Sequence, residues 1–280
     1  MEFWKMHGLG NDFIFLDHFS AGANDFDYPL LARKLCQRKF GIGADGLILV
    51  LPSTAAAARM RIFNSDGSEA EMCGNGIRCF ACFVYDKGYV STNPLTVETL
   101  AGLITLRLIF ERDKVRAVRV DMGIPILKPE AIPVNVSQEP VLGAYLEVGG
   151  LSLKFSAVSM GNPHCLIFRD DLDTLDLERL GPAVENHSLF PRKTNVEFIR
   201  VDSPREITMK VWERGAGPTL ACGTGACAAV VAAVLNGLTE RKVTVHLPGG
   251  DLRIEWGEDN HVYMTGPAVY TFRGVTTDPA

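Results

Sequence analysis

The chain has 280 residues, of which 47% are hydrophobic and 22% are charged, and its net charge is −5. This length suits one large domain or two ordinary ones, and the apolar content excludes a disordered chain. The acidic balance, with no basic block, argues against nucleic acid or a membrane surface as a partner. The longest fully apolar run, 226–235, is far shorter than the about 20 residues of a membrane-spanning helix.

The N-terminal residues and the cysteines predict a cytoplasmic protein. Residues 1–5 lack the basic start and apolar run of a signal peptide. Seven cysteines are an odd number, which predicts free thiols in a reducing compartment. Five of them have apolar neighbours and are interpreted as buried packing residues, namely Cys36, Cys79, Cys82, Cys165 and Cys227. The Cys79-x-x-Cys82 spacing lacks the second ligand pair of a zinc site, so we predict no metal there.

In the first half of the chain, strand-like runs alternate with two helix-like runs. Residues 28–40 predict a helix with Pro29 near its start. Residues 77–85 hold one charged side chain, which predicts a buried helix that ends near Gly88. Strands are predicted at 13–16, 47–51, 59–64, 95–99, 103–110 and 115–120.

The segment 41–46 (GIGADG) matches the glycine pattern of dinucleotide-binding loops. Such a loop needs a strand before it and a helix after it, whereas here a predicted helix precedes the glycines and a strand follows. We therefore predict no nicotinamide or flavin site, and a loop in which several glycines adopt positive φ.

The second half repeats the order of the first. Strands are predicted at 165–168, 206–213, 243–247 and 252–256, and an apolar helix at 226–235. A shift of 149 residues (73 to 222) carries residues 60–63 onto 209–212 and aligns Cys73-Gly74, Gly76 and Gly88 with Cys222-Gly223, Gly225 and Gly237. A single shift that aligns a strand, a cysteine, two glycines and a helix end predicts duplicated domains.

We therefore predict an α+β fold of two pseudo-symmetric domains, each an antiparallel-rich β-sheet wrapped around a central buried helix. The predicted domains are 1–118 and 119–265. The C-terminal tail, 266–280, is expected to pack on the first domain.

Cys73 and Cys222 each precede a Gly-x-Gly and a predicted helix. The N–H groups and the dipole of a helix N-terminus lower the pKa of a thiol below about 8.5, and the same N–H groups bind carboxylates. Two such thiols facing one substrate would let one remove a proton beside a carboxylate while the other delivers a proton to the opposite face. This pattern predicts racemisation or epimerisation by two bases. A disulfide between them would be an inactivated form.

At these residues the chain resembles the diaminopimelate epimerase family along nearly its whole length. The motifs that carry the resemblance are FWKMHGLGNDF at 3–13, FNSDGSEAEMCGNG at 63–76, MGNPHC at 160–165, TNVEF at 194–198 and WERGAGPTLACGTG at 212–225. The resemblance implies interconversion of LL- and meso-diaminopimelate, in lysine and peptidoglycan precursor biosynthesis, without pyridoxal phosphate, metal or another cofactor. It also implies an active site in a cleft between the domains.

The resemblance implies a role for each motif residue. Cys73 and Cys222 are expected to be base and acid, with roles that exchange with the direction of reaction. The donors expected for the carboxylate at the reacting carbon are Gly74, Asn75, Gly223 and Thr224. The residues expected at the far end of the substrate are Asn11, Asn64, Asn162, Asn195 and Arg214. Glu213 would take the reacting ammonium group, and His164 with Glu213 would set thiol protonation.

Two positions bear on the alternatives. Gly46 stands where some family members carry Gln near the reacting ammonium group, so Gly46 is left out of the site. Asn75 stands where a proline racemase or hydroxyproline epimerase would carry His. An enzyme of that kind, and a non-catalytic small-molecule binding protein of the same fold, remain the alternatives. The expected partner is the small-molecule substrate diaminopimelate, and a homodimer is left open.

Overall fold

The computed structural model describes residues 1–20 and 26–277, and the chain divides into two compact units. The first consists of Met1–Asp121 together with Thr265–Ala280, and the second of Met122–Met264. The predicted boundary after residue 118 is therefore shifted to Asp121, because the strand that closes this part of the first unit continues to that residue. The second unit likewise ends at Met264 rather than at residue 265.

Up to Asp121 the chain forms β1 (Glu2–Gly8), β2 (Asn11–Asp17), α1 (Tyr28–Leu35), β3 (Gly46–Leu51), β4 (Ala58–Asn64), β5 (Glu69–Ala70), α2 (Gly74–Asp86), β6 (Leu95–Thr99), β7 (Gly102–Glu111) and β8 (Lys114–Asp121). It continues with β9 (Ala144–Val148), β10 (Leu151–Ser159), β11 (Pro163–Phe168), α3 (Leu177–Glu185), β12 (Asn195–Ser203), β13 (Glu206–Glu213), β14 (Gly217–Thr219), α4 (Gly223–Leu235), β15 (Lys242–Leu247), β16 (Gly250–Trp256) and β17 (Val262–Gly266). The last strand, β18 (Val269–Val275), belongs to the first unit and pairs with β1.

The strands pair in the same order in both units. In the first, β1 to β2 is antiparallel, β2 to β3 parallel, β3 to β4 antiparallel, β4 to β6 parallel and β6 to β7 antiparallel. In the second, β10, β11, β12, β13, β15 and β16 repeat the same alternation. Each parallel pair is joined through one helix, as a parallel crossover requires. The prediction of two related α+β halves is confirmed.

The helices α2 and α4 are the cores of their units. Residues 74–84 of α2 are all buried, and so is most of α4, which confirms the prediction from their apolar sequences. Gly88 and Gly237 follow the two helices with φ of +71° and +70°, the left-handed conformation that ends a helix with glycine. No helix among the described residues is long and apolar enough to cross a membrane.

The GIGADG segment lies between α1 and β3, so the helix-before, strand-after context is confirmed. The prediction that several of its glycines need positive φ is wrong, because only Gly43 has a positive φ, of +80°. Gly41 and Gly46 are required for space instead. A Cβ on Gly41 would overlap the Lys34 carbonyl oxygen, and one on Gly46 would lie 2.8 Å from the carbonyl oxygen of Phe63.

Candidate active site

In the first unit, Cys73 is the N-cap residue of α2. Its extended backbone, with φ −137° and ψ 120°, turns the chain into the helix, and its sulfur accepts a hydrogen bond from the Gly76 N–H at 3.5 Å. The side chain is half-buried. The N–H groups at the start of a helix point beyond its end, so Gly74 and Asn75 present theirs beside this thiol.

Asn11 lies directly against Cys73. Its Oδ1 is 3.7 Å from the Cys73 sulfur and accepts a hydrogen bond from Asn75 Nδ2 at 3.2 Å. Its own Nδ2 donates to Asp45 Oδ2 at 2.8 Å. The structure thus brings together three predicted site residues, Asn11, Cys73 and Asn75, and adds Asp45, which fixes the direction of the Asn11 amide.

Arg78 holds the first turn of α2 from inside the protein. Its side chain is fully buried, and its guanidinium donates to Gly74 O at 3.0 Å, Asn75 Oδ1 at 2.9 Å and Pro267 O at 3.2 Å. The fork geometry of arginine allows one side chain to meet several acceptors at once. Arg78 therefore fixes both residues that follow Cys73.

Asn64 lies at the end of β4, where it pairs in register with Gly46 of β3. Its Nδ2 donates to Ser68 Oγ at 2.9 Å and the side chain is exposed. Asn64 therefore closes its own turn.

In the second unit, Cys222 occupies the equivalent N-cap position of α4, with φ −112° and ψ 111°. Its sulfur accepts a hydrogen bond from the Gly225 N–H at 3.3 Å and lies 3.5 Å from Thr224 Oγ1. Unlike Cys73, Cys222 is buried, with 6% of its surface exposed. Both thiols therefore stand at helix N-termini, as the sequence predicted, but in different surroundings.

A chain of hydrogen bonds leads away from Cys222. Asn162 Nδ2 donates to Thr224 Oγ1 at 3.2 Å, and Asn162 Oδ1 lies 3.0 Å from His164 Nε2. His164 Nδ1 in turn lies 2.7 Å from Glu197 Oε1. The structure thus brings Asn162, His164 and Thr224 together with Cys222, and adds Glu197.

The predicted lowering of the thiol pKa is wrong for Cys222. Burial raises its pKa well above the ordinary value, and the carboxyl groups of Glu213 and Glu197 raise it further. Hydrogen bonds from the Thr224 hydroxyl and the Gly225 N–H lower the pKa of Cys222, but by less than burial and the two carboxyl groups raise it. Cys222 is therefore a thiol at neutral pH and suited to donate a proton.

Asn195 and Arg214 meet beside this network. Asn195 Nδ2 donates to Pro163 O at 2.9 Å, and its Oδ1 accepts from the Arg214 backbone N–H at 2.9 Å. Asn195 is buried, whereas the Arg214 side chain reaches the Arg192 carbonyl oxygen at 3.3 Å on the exposed surface. Glu213, the neighbour of Arg214, accepts a short hydrogen bond from the Thr219 hydroxyl.

The remaining five cysteines are buried and carry no disulfide. Burial raises the pKa of Cys36 and of Cys79 to about 12, so neither forms a thiolate at neutral pH. Their interpretation as packing residues is confirmed.

Three residues of the site were not identified from the sequence. Asp45 and Arg78 lie in segments that were interpreted from their glycines or their apolar pattern. Glu197 lies in the TNVEF motif, in which only Asn195 was predicted to belong to the site. A charged residue within an otherwise apolar run was the available signal for Arg78 and Glu197, because a buried charge is retained only with partners.

Comparisons with known proteins point to one family. The sequence profile described as Diaminopimelate epimerase matches residues 3–128 and 156–271. A protein named diaminopimelate epimerase from Desulfitobacterium hafniense is 71% identical over 281 residues, covering 100% of this chain and 99% of its own. One of the same name from Pelotomaculum thermopropionicum is 59% identical over 274 residues, covering 98% of each chain.

Solved structures with low sequence identity share the fold. A phenazine biosynthesis protein of the PhzF family from Bacillus anthracis has a TM-score of 0.71 at 17% identity, covering 98% of both chains. A probable proline racemase from Agrobacterium radiobacter also has a TM-score of 0.71, at 15% identity, covering 99% of this chain and 93% of its own.

Proposed function

This chain belongs to the diaminopimelate epimerase family, and we propose that it interconverts LL- and meso-diaminopimelate by proton transfer at one α-carbon. The observation that carries the proposal is the pair of N-cap thiols, Cys73 on α2 and Cys222 on α4. Each joins an acid–base group to a helix N-terminus that binds carboxylates.

The proposed reaction needs one thiolate and one thiol. The thiolate takes the α-proton, the electron pair of the broken C–H bond spreads into the carboxylate, and the other thiol protonates the carbon from the opposite face. The cysteine that began as the thiolate is then a thiol, and the other cysteine is the thiolate. We propose that first-turn N–H groups at Gly74, Asn75, Gly223 and Thr224 stabilise the developing negative charge, as fixed donors do at a known charge position.

We propose that the remaining polar residues recognise the rest of the substrate. Arg214 is suited to the distal carboxylate because guanidinium and carboxylate form paired hydrogen bonds. Asn195 supports it by holding the Arg214 backbone. Asn11, Asn64 and Asn162 would contact the chain and the distal amino group, and Glu213 the reacting ammonium group. His164 and Glu213 would set the protonation of Cys222, a role consistent with their positions around it.

We further propose a cytoplasmic enzyme that forms a homodimer. The seven cysteines form no disulfide among the described residues, which fits a reducing compartment. Strand β18 exposes 42% of Val269 and 48% of Phe272. These residues pair with His7 and Lys5, alternate residues of β1, so both lie on one face, and an exposed apolar face favours a second copy as partner. Sedimentation equilibrium would test the dimer, and a single monomeric species at micromolar concentration would contradict it.

The function is tested by incubating the enzyme with LL-diaminopimelate in D₂O without added cofactor. We expect deuterium at the α-carbon together with formation of the meso isomer, and loss of both in Cys73→Ala. Exchange with proline but not with diaminopimelate would favour a proline racemase. Binding of diaminopimelate by the wild type without any exchange would favour a binding protein.

A further inference from the structure

Glu197 lies at the base of the Cys222 site and has no place in the reaction described above. It is fully excluded from solvent together with His164, and its Oε1 lies 2.7 Å from His164 Nδ1. Its other oxygen, Oε2, is buried and has no hydrogen-bond partner in the part of the chain that the structure describes. A buried carboxyl group with one unpaired oxygen is costly, so its retention calls for a role.

The carboxyl group lies directly beneath the first turn of α4. A Cβ placed on Gly225 would be 2.5 Å from Glu197 Oε1 and 3.2 Å from the Cys222 sulfur. The carboxyl end of the Glu197–His164 pair, rather than the imidazole, is therefore the part that lies beside this turn. Negative charge on Glu197 opposes negative charge on Cys222, and because both groups are buried this repulsion is weakly screened.

The equivalent place in the first unit is apolar. Ile48 and Gly76 correspond to Glu197 and Gly225 at the shift of 149 residues (73 to 222). A Cβ on Gly76 would meet Ile48 Cδ1 at 3.0 Å and Phe13 Cζ at 3.5 Å. Phe13 pairs with Gly46 across β2 and β3, as His164 pairs with Asn195 across β11 and β12. The duplicated fold thus places Phe13 and Ile48 beneath one thiol, and His164 and Glu197 beneath the other.

We propose that Glu197 is a positioning residue that, held by His164, keeps Cys222 protonated before substrate binds and so makes the two catalytic thiols unequal. The inference rests on the proposed function, since it assigns the starting proton of that reaction to Cys222. Beneath Cys73 the equivalent places hold the apolar side chains of Phe13 and Ile48. After Cys222 gives its proton to the substrate carbon, its sulfur carries a negative charge beside Glu197. Repulsion between the two charges makes this sulfur more basic, so Cys222 readily takes a proton from the substrate in the reverse reaction.

Other titratable groups face this pair and act in the same region. Cys165 lies on β11 beside His164. Burial raises the pKa of Cys165, and the negative charge of Glu197 raises it further. Glu213 on β13 raises the pKa of Cys222 independently of Glu197. The pKa of Glu197 itself is raised overall, because burial outweighs the opposing effect of His164. Removal of Glu197 is therefore expected to lower the titration midpoint of Cys222 without abolishing the effect of Glu213.

The test follows the ionisation of both thiols in the full chain without substrate. Protein labelled with ¹³C at the cysteine Cβ is titrated by NMR between about pH 6 and pH 12, and signals are assigned with Cys73→Ser and Cys222→Ser. We expect Cys222 in the wild type to remain a thiol to higher pH than Cys73. In Glu197→Gln, which keeps the shape but carries no charge, we expect its midpoint to fall by about one pH unit, with Cys73 unchanged.

Glu197→Asp and Glu240→Gln are the controls. The first keeps a carboxyl group one methylene shorter, so its Cys222 midpoint should lie between those of the wild type and Glu197→Gln; the second makes the same chemical change on the surface and should alter neither thiol. An unchanged Cys222 midpoint in Glu197→Gln, or equal shifts of both thiols, would overturn the proposal. If Glu197→Gln does not fold, a wild-type Cys222 that ionises at or below the pH of Cys73 would overturn it too. Because no substrate is present, absence of epimerase activity would leave these outcomes unaffected.

Discussion

The side chain of Asn11 donates to Asp45 Oδ2 at 2.8 Å, and its carbonyl oxygen lies 3.7 Å from the Cys73 sulfur. An amide rotated by half a turn would present its NH₂ group to the sulfur instead. Asp45 prevents that rotation, because a carboxylate accepts hydrogen bonds and does not donate them. The orientation of Asn11 toward the thiol is thus set by Asp45.

Replacement of Asp45 should therefore impair catalysis more than folding. In Asp45→Ala we expect kcat/KM to fall about tenfold, equivalent to about 1.4 kcal/mol, the scale of one hydrogen bond to a charged group. Initial rates with LL-diaminopimelate would measure the loss. The control is Asp173→Ala, whose side chain is 88% exposed; equal activity in both variants would contradict a specific role for Asp45.

Two glycines at matching positions provide a second test. A Cβ on Gly225 would lie 2.5 Å from Oε1 of Glu197, a carboxyl group held by His164. A Cβ on Gly76 would lie 3.0 Å from Cδ1 of Ile48, the end of a side chain that can change rotamer. We expect Gly225→Ala to reduce the free energy of unfolding by about 2 kcal/mol, within the range for overpacking. Gly76→Ala should change it by less than about 1 kcal/mol, since alanine also favours the helix.

Urea unfolding of the two variants beside the wild type would decide between them. Equal losses of unfolding free energy would show that the side chains beneath Gly225 are no more rigid than those beneath Gly76. A larger loss in Gly76→Ala would contradict the structural difference beneath the two thiols.

The sequence predicted most of what local pattern and duplication determine. The helices that follow Cys73 and Cys222 were predicted because their apolar residues cover the whole circumference, and the presence of two related halves was predicted from the repeat. The first helix was predicted to reach residue 40 but ends at Leu35. Backbone bonds from Gly43 to Leu35 and from Ala44 to Cys36 fold the following residues back on themselves.

Other elements were hidden by residues with conflicting propensity. Helix α3 contains Pro182, which usually argues against a helix interior, yet the side chain of Asp176 caps its start by accepting from the Arg179 N–H at 3.1 Å. The contact between Glu197 and His164 joins two strands 33 residues apart in sequence. Composition and periodicity carry no information about such a pairing, which follows only from the parallel register of β11 and β12.

The ion pairs of Asp12 predict a loss of stability in acid. Burial alone would raise the pKa of this carboxyl group, but hydrogen bonds and charge interactions with Lys5 and Arg38 lower it overall from the ordinary 3.8. A folded-state pKa below the unfolded value adds stability above about pH 4, and this contribution is lost as pH falls through the lower, folded value. Lys5, with 8% of its side chain exposed and 2.7 Å away, is the buried partner.

Asp12→Asn should therefore cost about 3 kcal/mol at pH 7, because it leaves the buried Lys5 without its counter-charge. The gap between wild type and variant should narrow as pH falls below about 4. Urea unfolding at several pH values would measure it, with Asp173→Asn as the exposed comparison. A gap of constant size down to pH 3 would rule out the ionised carboxylate as its source.

Arg78 offers the sharpest test of how the first turn of α2 is held. Three donors of one guanidinium meet Gly74 O, Asn75 Oδ1 and Pro267 O. The single ammonium group of lysine, on a shorter side chain, cannot reach all three acceptors. We expect Arg78→Lys to lower the free energy of unfolding by about 3 kcal/mol, since buried acceptors lose their donors.

The folded fraction of that variant should also lose activity. Gly74 and Asn75 directly follow Cys73, so freeing them disorders the donors beside the thiol, and a fall in kcat of about tenfold is expected from the loss of preorganisation. Assays at 15 °C, with the folded fraction determined by circular dichroism, separate this effect from unfolding. The control is Arg116→Lys, on a side chain that is 74% exposed. It should change the free energy of unfolding by no more than about 0.5 kcal/mol and should leave kcat unchanged. Full kcat in folded Arg78→Lys would show that the position of Cys73 does not depend on this guanidinium, because the same helix start would then be competent without it.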